Sequence, residues 1–191
     1  MRDILKMIIV LSVICGLSGV TLATVRDATM ERIQLQELNF VKKPSIVKAV
    51  SGYDNDPIVD RREFTTQDGA TVLVFPAKRD GRLFAVAIED VGPGYGGDVS
   101  VVVGFDIATD TMTGVGIAPL KETPGVGSRT GDKAFGQQFK GHSLDVDLKS
   151  GGGDIDAIAG ATVSSTASVT AVKKAVRNYR ELKDKIKEAW S

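Results

Sequence analysis

The distribution of hydrophobic residues divides the chain into an apolar N-terminal segment and a longer region of mixed polarity. Residues 7–25, MIIVLSVICGLSGVTLATV, contain no charge between Lys6 and Arg26. This length is close to the ~20 residues that a transmembrane helix needs. A cleaved signal peptide would have a shorter apolar core and a small-residue cleavage box, and TLA at 21–23 is a poor one. The pattern therefore favours a retained membrane span, with its short tail, over residues 1–25.

The charges beside this segment do not decide its orientation. Basic residues lie on both sides of it, at Arg2, Lys6, Arg26, Arg32, Lys42 and Lys43. A long domain that follows a short tail is translocated largely regardless of charge, so we expect the domain outside the cytoplasmic membrane. Lipid modification of Cys15 is disfavoured, because Ile14 stands where a lipoprotein has a small residue.

A connector, residues 26–69, follows the apolar segment. Residues 26–50 contain apolar positions with charged residues interspersed, which predicts a helix that continues out of the membrane and is interrupted near Pro44; the apolar positions are Ile33, Leu35, Leu38, Phe40 and Val41. Residues 51–69 are polar and rich in turn formers, so we expect a loop with little regular structure.

From residue 70 onward the hydrophobic period changes from helical to strand-like. Four runs are rich in β-branched and aromatic residues, at 71–77, 82–90, 98–108 and 115–120. Asp80-Gly81 is a strong hairpin signal between the first two runs. VGPGYGG at 91–97 is expected to be irregular, and TDTMTG at 109–114 to form a turn. The pattern predicts an antiparallel meander of about four strands, not a series of parallel βαβ units.

The C-terminal region has the clearest helical periodicity. Between Ala167 and Trp190 the apolar positions recur every three or four residues, at Val169, Val172, Val176, Tyr179, Leu182, Ile186 and Ala189. Ser165 or Thr166 would cap the start of this helix, which we expect to pack on the sheet. A short helical piece is also expected at KAFGQQFKG, 133–141. The predicted fold class is α+β, with a domain over 70–191 that follows a single membrane helix.

Composition removes several classes of function. The 24 basic and 24 acidic residues balance, so the sequence lacks the excess of positive charge that is typical of nucleic-acid-binding proteins. Cys15 is the only cysteine and His142 the only histidine, and neither belongs to a cluster with metal-ligand spacing. GVGSRTG at 125–131 follows a proline and lacks the glycine spacing of a dinucleotide loop. A Ser-His-Asp triad is disfavoured by the single distant histidine, and the sequence indicates no catalytic residue.

Two stretches remain as candidates for chemistry. In KETPGVGSR, 121–129, Pro124-Gly125 favours a tight turn, with Glu122 and Thr123 at its mouth. Glycines there let backbone amides approach a ligand, although an ordinary surface turn has the same composition. The second stretch is DIDAIAGATVSSTASV, 154–169.

In this second stretch two small residues, Gly160 and Ala161, stand directly before Thr162. They leave room for a large group to reach the threonine hydroxyl, and the helix that follows offers free N–H groups and a positive dipole end to a phosphate. Asp156 lies upstream, and Ser165 is among the hydroxyl donors that follow. Small residues at a simple helix start have the same pattern, so both interpretations are open at this point.

A resemblance to a known family adds to these patterns. DAIAGATVSS, 156–165, resembles the flavinylation motif of the FMN-binding domain family, in which a flavin transferase attaches FMN through its phosphate to the last threonine of Asp-x-x-(Ser/Thr)-Gly-Ala-Thr. YGGDVSVVVGFD, 95–106, and KETPGVGSRTGDKAFGQQFKG, 121–141, resemble two other blocks of that family in the expected order. With its anchor and short length the chain is most similar to G subunits of Rnf electron-transport complexes. The related C subunits of sodium-translocating NADH:quinone reductases are usually longer.

The resemblance implies a set of flavin-site residues. Thr162 is the implied attachment residue, with Gly160 and Ala161 beside it, Asp156 as the motif acid, and Glu122, Thr123 and Gly125 near the flavin; Ser165 is added as a donor. Ala159 departs from the motif, because the family usually has Ser or Thr at this place.

The function implied by the resemblance is that of a membrane-anchored electron carrier with covalent FMN. It would act as one subunit of an ion-translocating complex linked to ferredoxin and NAD, without complete turnover on its own. Its expected partners are other membrane subunits and the flavin transferase. The alternative is an anchored FMN-domain, ligand-binding or assembly module of another respiratory or sensory system, without covalent flavin.

Overall fold

A computed structural model describes residues 2–118 and 122–190 of the chain. It divides into two compact units, Met1–Leu38 and Asn39–Ser191. The first unit consists of a single helix, α1 (Arg2–Glu37). Within it, Arg2–Met30 is long and apolar enough to cross a membrane, as the sequence pattern predicts.

Further helical structure follows α1 along the chain. A π-helical segment, Leu38–Lys42, leads into α2 (Lys43–Ala49), which ends at Val50. Pro44 lies in the first turn of α2, where its missing N–H costs no helical hydrogen bond. The predicted helix with an interruption near Pro44 is therefore confirmed, and the interruption takes the form of the π-helical segment.

Five antiparallel strands form one sheet in the order β1-β2-β3-β4-β5. The strands are β1 (Arg62–Thr65), β2 (Thr71–Arg79), β3 (Arg82–Pro93), β4 (Asp98–Asp106) and β5 (Thr111–Ile117). The predicted antiparallel meander is confirmed, with β1 as an additional strand inside 51–69, where the sequence predicts a loop with little regular structure. This edge strand has four residues and pairs only with β2, so it shows no long alternating pattern that sequence could reveal.

One turn position matches the sequence-based expectations, and two others differ from them. Positive φ angles of 51° at Asp80 and 74° at Gly81 confirm the hairpin between β2 and β3. The stretch 91–97 is not wholly irregular, because β3 continues to Pro93, which pairs with Asp98. The turn predicted at 109–114 lies earlier, since β5 already begins at Thr111. Residues 119–121, where the predicted strand 115–120 ends, lie outside the described residues.

The long helix α4 (Thr162–Ala189) covers one face of the sheet and buries the predicted apolar stripe. It begins at Thr162, with Ala161 as its N-cap, so the prediction that Ser165 or Thr166 caps it is wrong. The Ser165 hydroxyl instead donates to the Ala161 carbonyl at 2.9 Å, one turn back within the helix. A Ser or Thr hydroxyl inside a helix can donate to a backbone carbonyl one turn back in this way. A run of such residues therefore does not by itself mark a helix boundary.

The opposite face of the sheet carries α2 at very close range. A Cβ at Gly116 would lie 1.9 Å from the Ser45 carbonyl oxygen, and one at Gly104 would lie 2.4 Å from that of Ala49. Glycines on β4 and β5 therefore let the α2 backbone rest directly on the strands. The sheet is held between two helices, which confirms the predicted α+β arrangement.

Contacts midway along α4 fix its position on the sheet. The Tyr179 ring stacks on Phe105 with centroids 4.4 Å apart, and its hydroxyl donates to Asp110 at 2.9 Å. Hydrogen bonds from Lys183 and Tyr179 hold the pKa of Asp110 below its ordinary value. These contacts hold this part of α4 against β4 and the turn before β5.

In the described residues between β5 and α4, 118 and 122–161, the helices are all short. They are a 3₁₀ turn at Gly127–Gly131, α3 (Lys133–Gln137) and a 3₁₀ turn at Lys149–Gly151. The helical piece predicted at 133–141 is confirmed as α3, with turns after it. Phe135 and Phe139 pack edge to face and attach this segment to the core.

Candidate functional site

A cleft of about 430 Å³ lies at the N-terminal end of α4. Three segments that are distant in sequence form it: the β3–β4 turn, the loop before the first 3₁₀ turn, and the start of α4. Its lining consists of Tyr95, Glu122, Thr123, Val126, Gly127, Gly160, Ala161, Thr162, Val163 and Ser164. The three sequence blocks singled out above therefore converge on one place.

Thr162 presents an exposed hydroxyl in this cleft. It is the first residue of α4, and its hydroxyl has no hydrogen-bond partner within the described part of the chain. Gly160 adopts a φ of 78°, a left-handed conformation that turns the chain into the helix at little cost for glycine. The Ala161 N-cap supplies no side-chain acceptor, so the first backbone amides of α4 remain available to an anion.

Glu122 connects the three walls of the cleft. Its side chain is buried, and Oε1 accepts hydrogen bonds from the backbone N–H of Tyr95 at 2.8 Å and of Gly96 at 3.3 Å. Oε2 accepts from the hydroxyl of Ser164 at 3.0 Å. One carboxylate thus holds the β3–β4 turn, its own loop and the first turn of α4 together.

The glycines around Glu122 make these contacts sterically feasible. A Cβ at Gly94 would lie 2.2 Å from Glu122 Oε1. A Cβ at Gly127 would lie 2.6 Å from Ser164 Oγ and 2.7 Å from Glu122 Oε2. The glycine spacing in the two loop blocks therefore serves the packing around the buried carboxylate.

Exposed apolar side chains complete the lining. Tyr95 is 78% exposed, Val163 52% and Val126 40%. They lie in the same cleft as the Thr162 hydroxyl and the α4 amides. Such a combination suits a ligand with a phosphate at one end and a flat aromatic ring at the other. FMN has both parts, so the donors and apolar surfaces present fit this cofactor.

The structure brings five of the eight sequence-derived site residues into the cleft. These are Thr162, Gly160, Ala161, Glu122 and Thr123. Gly125 does not line it; with a φ of 75° it shapes the loop, and its N–H donates to Ser128 Oγ at 2.9 Å. Ser165 is buried and ties Ile158 to Ala161 through its hydroxyl, so it closes the turn before the helix.

Asp156, the acid of the motif, also lies outside the cleft lining. Its carboxylate is exposed and accepts from Lys149 Nζ at 2.8 Å. Its backbone N–H donates to Gln138 Oε1 at 2.7 Å, and its carbonyl accepts from Gln138 Nε2 at 3.2 Å. A role for Asp156 in recognition by the transferase stays a prediction.

Sequence reasoning missed three residues of the cleft lining. The sequence patterns did not indicate Tyr95, Val126 and Val163 as site residues. Each of these is an aromatic or aliphatic residue within a glycine-rich or hydroxyl-rich run, where no core position is expected. An apolar side chain in such a run could have indicated an exposed binding surface.

We expect Glu122→Ala to lower the free energy of unfolding by about 2 kcal/mol, because one hydroxyl and two backbone N–H groups lose a charged acceptor. Glu122→Gln, which keeps an acceptor oxygen toward the β3–β4 turn, should retain most of the stability. Denaturant titration of the full chain in detergent measures both. Glu63→Ala, at an exposed carboxylate of β1, is the matched control. Equal stability of the Glu122→Ala and Glu63→Ala variants would show that Glu122 does not hold the cleft together.

Comparisons with known proteins agree with this geometry. The FMN-binding domain family matches residues 94–177, which include all the lining of the cleft. The G subunit of the ion-translocating oxidoreductase complex of Vibrio cholerae is 31% identical over 183 residues, covering 88% of this chain and 86% of that protein. The G subunit of the Na(+)-translocating ferredoxin:NAD(+) oxidoreductase complex of Acetobacterium woodii is 26% identical, covering 95% and 94%.

A solved structure has the same fold. The crystal structure of Shewanella oneidensis NqrC aligns with a TM-score of 0.52 at 22% identity, over 80% of this chain and 76% of that one. Residues 94–177, which include the cleft at α4, are the part of this fold that matches the FMN-binding domain family, and an apolar helix precedes them in the chain. The chain belongs to the family of G subunits of ion-translocating oxidoreductase complexes.

Proposed function

We propose that this chain is a membrane-anchored electron-transfer subunit that carries FMN as a phosphoester on Thr162. The observation that carries the proposal is the exposed Thr162 hydroxyl at the start of α4, in one cleft with Tyr95, Val126 and Val163. The subunit would belong to an ion-translocating oxidoreductase complex, as the names of its relatives state for those proteins.

The protein would hold the two ends of the cofactor differently. The phosphate would lie at Thr162 and the first amides of α4, where the helix dipole favours negative charge. The ring would lie against Tyr95 and the two valines. When bound, the flavin supplies the redox chemistry, and the surrounding chain positions it and sets its environment. Within the described residues, no group of three or more His, Cys, Asp or Glu side chains is placed to hold a metal.

The long apolar helix supports the membrane location. Arg2–Met30 would span the bilayer once, with the domain on the outer side, because a long domain is translocated largely regardless of its charge. A covalent bond is useful there, because a cofactor lost outside the cytoplasm is not readily replaced. Other membrane subunits of the complex and a flavin transferase are the proposed partners.

The test is the mass of the full chain purified from cells that contain the transferase, measured after denaturation. We expect a mass increase equal to one FMN joined with loss of water, in-gel flavin fluorescence, and the label on the peptide that contains Thr162. An unmodified, colourless polypeptide from such cells would refute the covalent proposal and favour a binding or assembly module.

A further inference from the structure

A second cleft, of about 280 Å³, lies between α2, β5 and α3. It shares no lining residue with the cleft at Thr162. Its floor is formed by Ala49, Val115 and Ile117, all buried apolar residues. Three lysines, Lys48, Lys133 and Lys140, stand among the other lining residues. Nothing in the function proposed above uses this cleft.

The three lysines reach this cleft from different places in the chain. Lys48 lies near the end of α2, Lys133 is the first residue of α3, and Lys140 lies in the turn after α3. All three side chains are exposed. The tertiary structure, and not a basic run of sequence, therefore concentrates positive charge here.

These lysines differ from most others of the same unit in having no partner. Among the described residues, none of the three makes an ion pair or a hydrogen bond. In contrast, six lysines of this unit pair with carboxylates: Lys42, Lys43, Lys78, Lys149, Lys173 and Lys183. Asp132 is the one carboxylate in the described lining of the cleft. The positive charge is therefore local in a chain whose formal net charge is zero.

Such an arrangement favours a bound anion. Ammonium groups that share a cleft repel one another, and an anion between them removes that repulsion and gains attraction to each. A phosphate suits lysine particularly well, because it accepts several hydrogen bonds and lysine acts as a point charge toward it. The apolar floor adds a place for a small hydrophobic body beside the charged group. The volume is close to the lower end of small-molecule sites, roughly 300–1,000 Å³.

We propose that the cleft of Lys48, Lys133 and Lys140 binds a phosphate group that carries a small apolar body. The same chemistry is found in the headgroup region of an anionic phospholipid and in a soluble phosphate ester. A membrane origin is compatible with the sequence, since α2 follows Arg2–Met30 by only a short stretch of chain. The proposal is independent of the flavin at Thr162.

The experiment is native mass spectrometry of the full chain in neutral detergent with defined probes. The probes are short-chain phosphatidylglycerol, phosphatidylcholine with the same acyl chains, phenyl phosphate and inorganic phosphate. Saturable binding of phosphatidylglycerol alone would support the site with a lipid as its ligand. Binding of phenyl phosphate more tightly than inorganic phosphate would support it with a soluble ester. Absence of binding by every probe, or equal binding of phosphatidylcholine and phosphatidylglycerol, would overturn the proposal.

Matched triple variants locate the binding. Each lysine close to a phosphate contributes roughly a fivefold gain, so Lys48→Gln, Lys133→Gln and Lys140→Gln together should weaken the binding about 100-fold. The control combines Lys173→Gln, Lys185→Gln and Lys187→Gln, which removes the same charge from exposed positions of α4. Equal weakening by both sets would also overturn the proposal. Covalent flavin should be retained in both variants, so failure here is distinguishable from failure of the Thr162 assignment.

Discussion

Replacing Thr162 with alanine is expected to abolish covalent flavin while leaving the domain folded. The substitution removes the exposed hydroxyl of the first residue of α4, which directly follows Gly160 and Ala161. Because Thr162 is exposed and its hydroxyl has no partner within the described residues, the free energy of unfolding should change by no more than about 0.5 kcal/mol. Intact mass and in-gel fluorescence after co-expression with the transferase measure the attachment, and denaturant titration measures the stability.

Two control variants define what this result means. Thr162→Ser keeps a hydroxyl at the same place and should retain covalent flavin in at least part of the molecules. Thr166→Ala removes an exposed hydroxyl near the start of α4 that lies outside the cleft lining, and it should leave the attachment intact. If Thr162→Ala protein still carried covalent flavin, or if Thr166→Ala lost it, the assignment of the attachment to Thr162 would be contradicted.

The second large effect is expected from Gly92→Ala, which should lower the free energy of unfolding by about 3 kcal/mol or more. Gly92 lies near the end of β3, where it pairs with Val99. A Cβ there would lie 2.0 Å from the carbonyl oxygen of Ala167 and 2.8 Å from its carbonyl carbon. Both neighbours are backbone atoms of regular elements, so neither a rotamer change nor a loop movement can relieve the overlap.

The same substitution should also impair the flavin site. Relief of the overlap requires the first turns of α4 to move away from β3, and Thr162 and Ser164 lie on those turns. Part of the covalent flavin should therefore be lost even in molecules that fold. Gly81→Ala is the control, because its φ is 74° but a Cβ there meets nothing within 4 Å. It should cost only about 1–2 kcal/mol of backbone strain. A Gly92→Ala protein as stable as Gly81→Ala would contradict the described approach of α4 to β3.

The sequence was sufficient for features that depend on local chemistry. The uncharged segment 7–25 fits a membrane-spanning helix because length and hydropathy alone decide that property. The apolar stripe around Val172, Tyr179 and Leu182 predicts α4, since spacing along a helix determines which side chains share a face. Asp80-Gly81 predicts its hairpin because the positive φ angles are a property of those two residues.

The sequence also identified the centre of the candidate site, but not the way it is held. The Gly-Ala-Thr core is contiguous, so it is visible as a motif, and Glu122 was included only as a loop residue. The position of Glu122 between Tyr95 and Ser164 depends on hydrogen bonds between residues that are 27 and 42 positions apart in the sequence. No local pattern encodes such a contact, because the three segments meet only after the sheet and α4 have packed.

Tertiary structure decided the remaining features for the same reason. β1 is four residues long and exists only because β2 offers it a pairing edge. Gly160, with its positive φ, and the hydrogen bond from the Ser165 hydroxyl to the Ala161 carbonyl set the start of α4. The run of hydroxyl residues in the sequence does not show which residue begins the helix. Lys48, Lys133 and Lys140 form one charged cleft only because α2 and α3 meet beside β5. Periodicity and short motifs report on neighbours along the chain, whereas these features arise between residues that folding brings together.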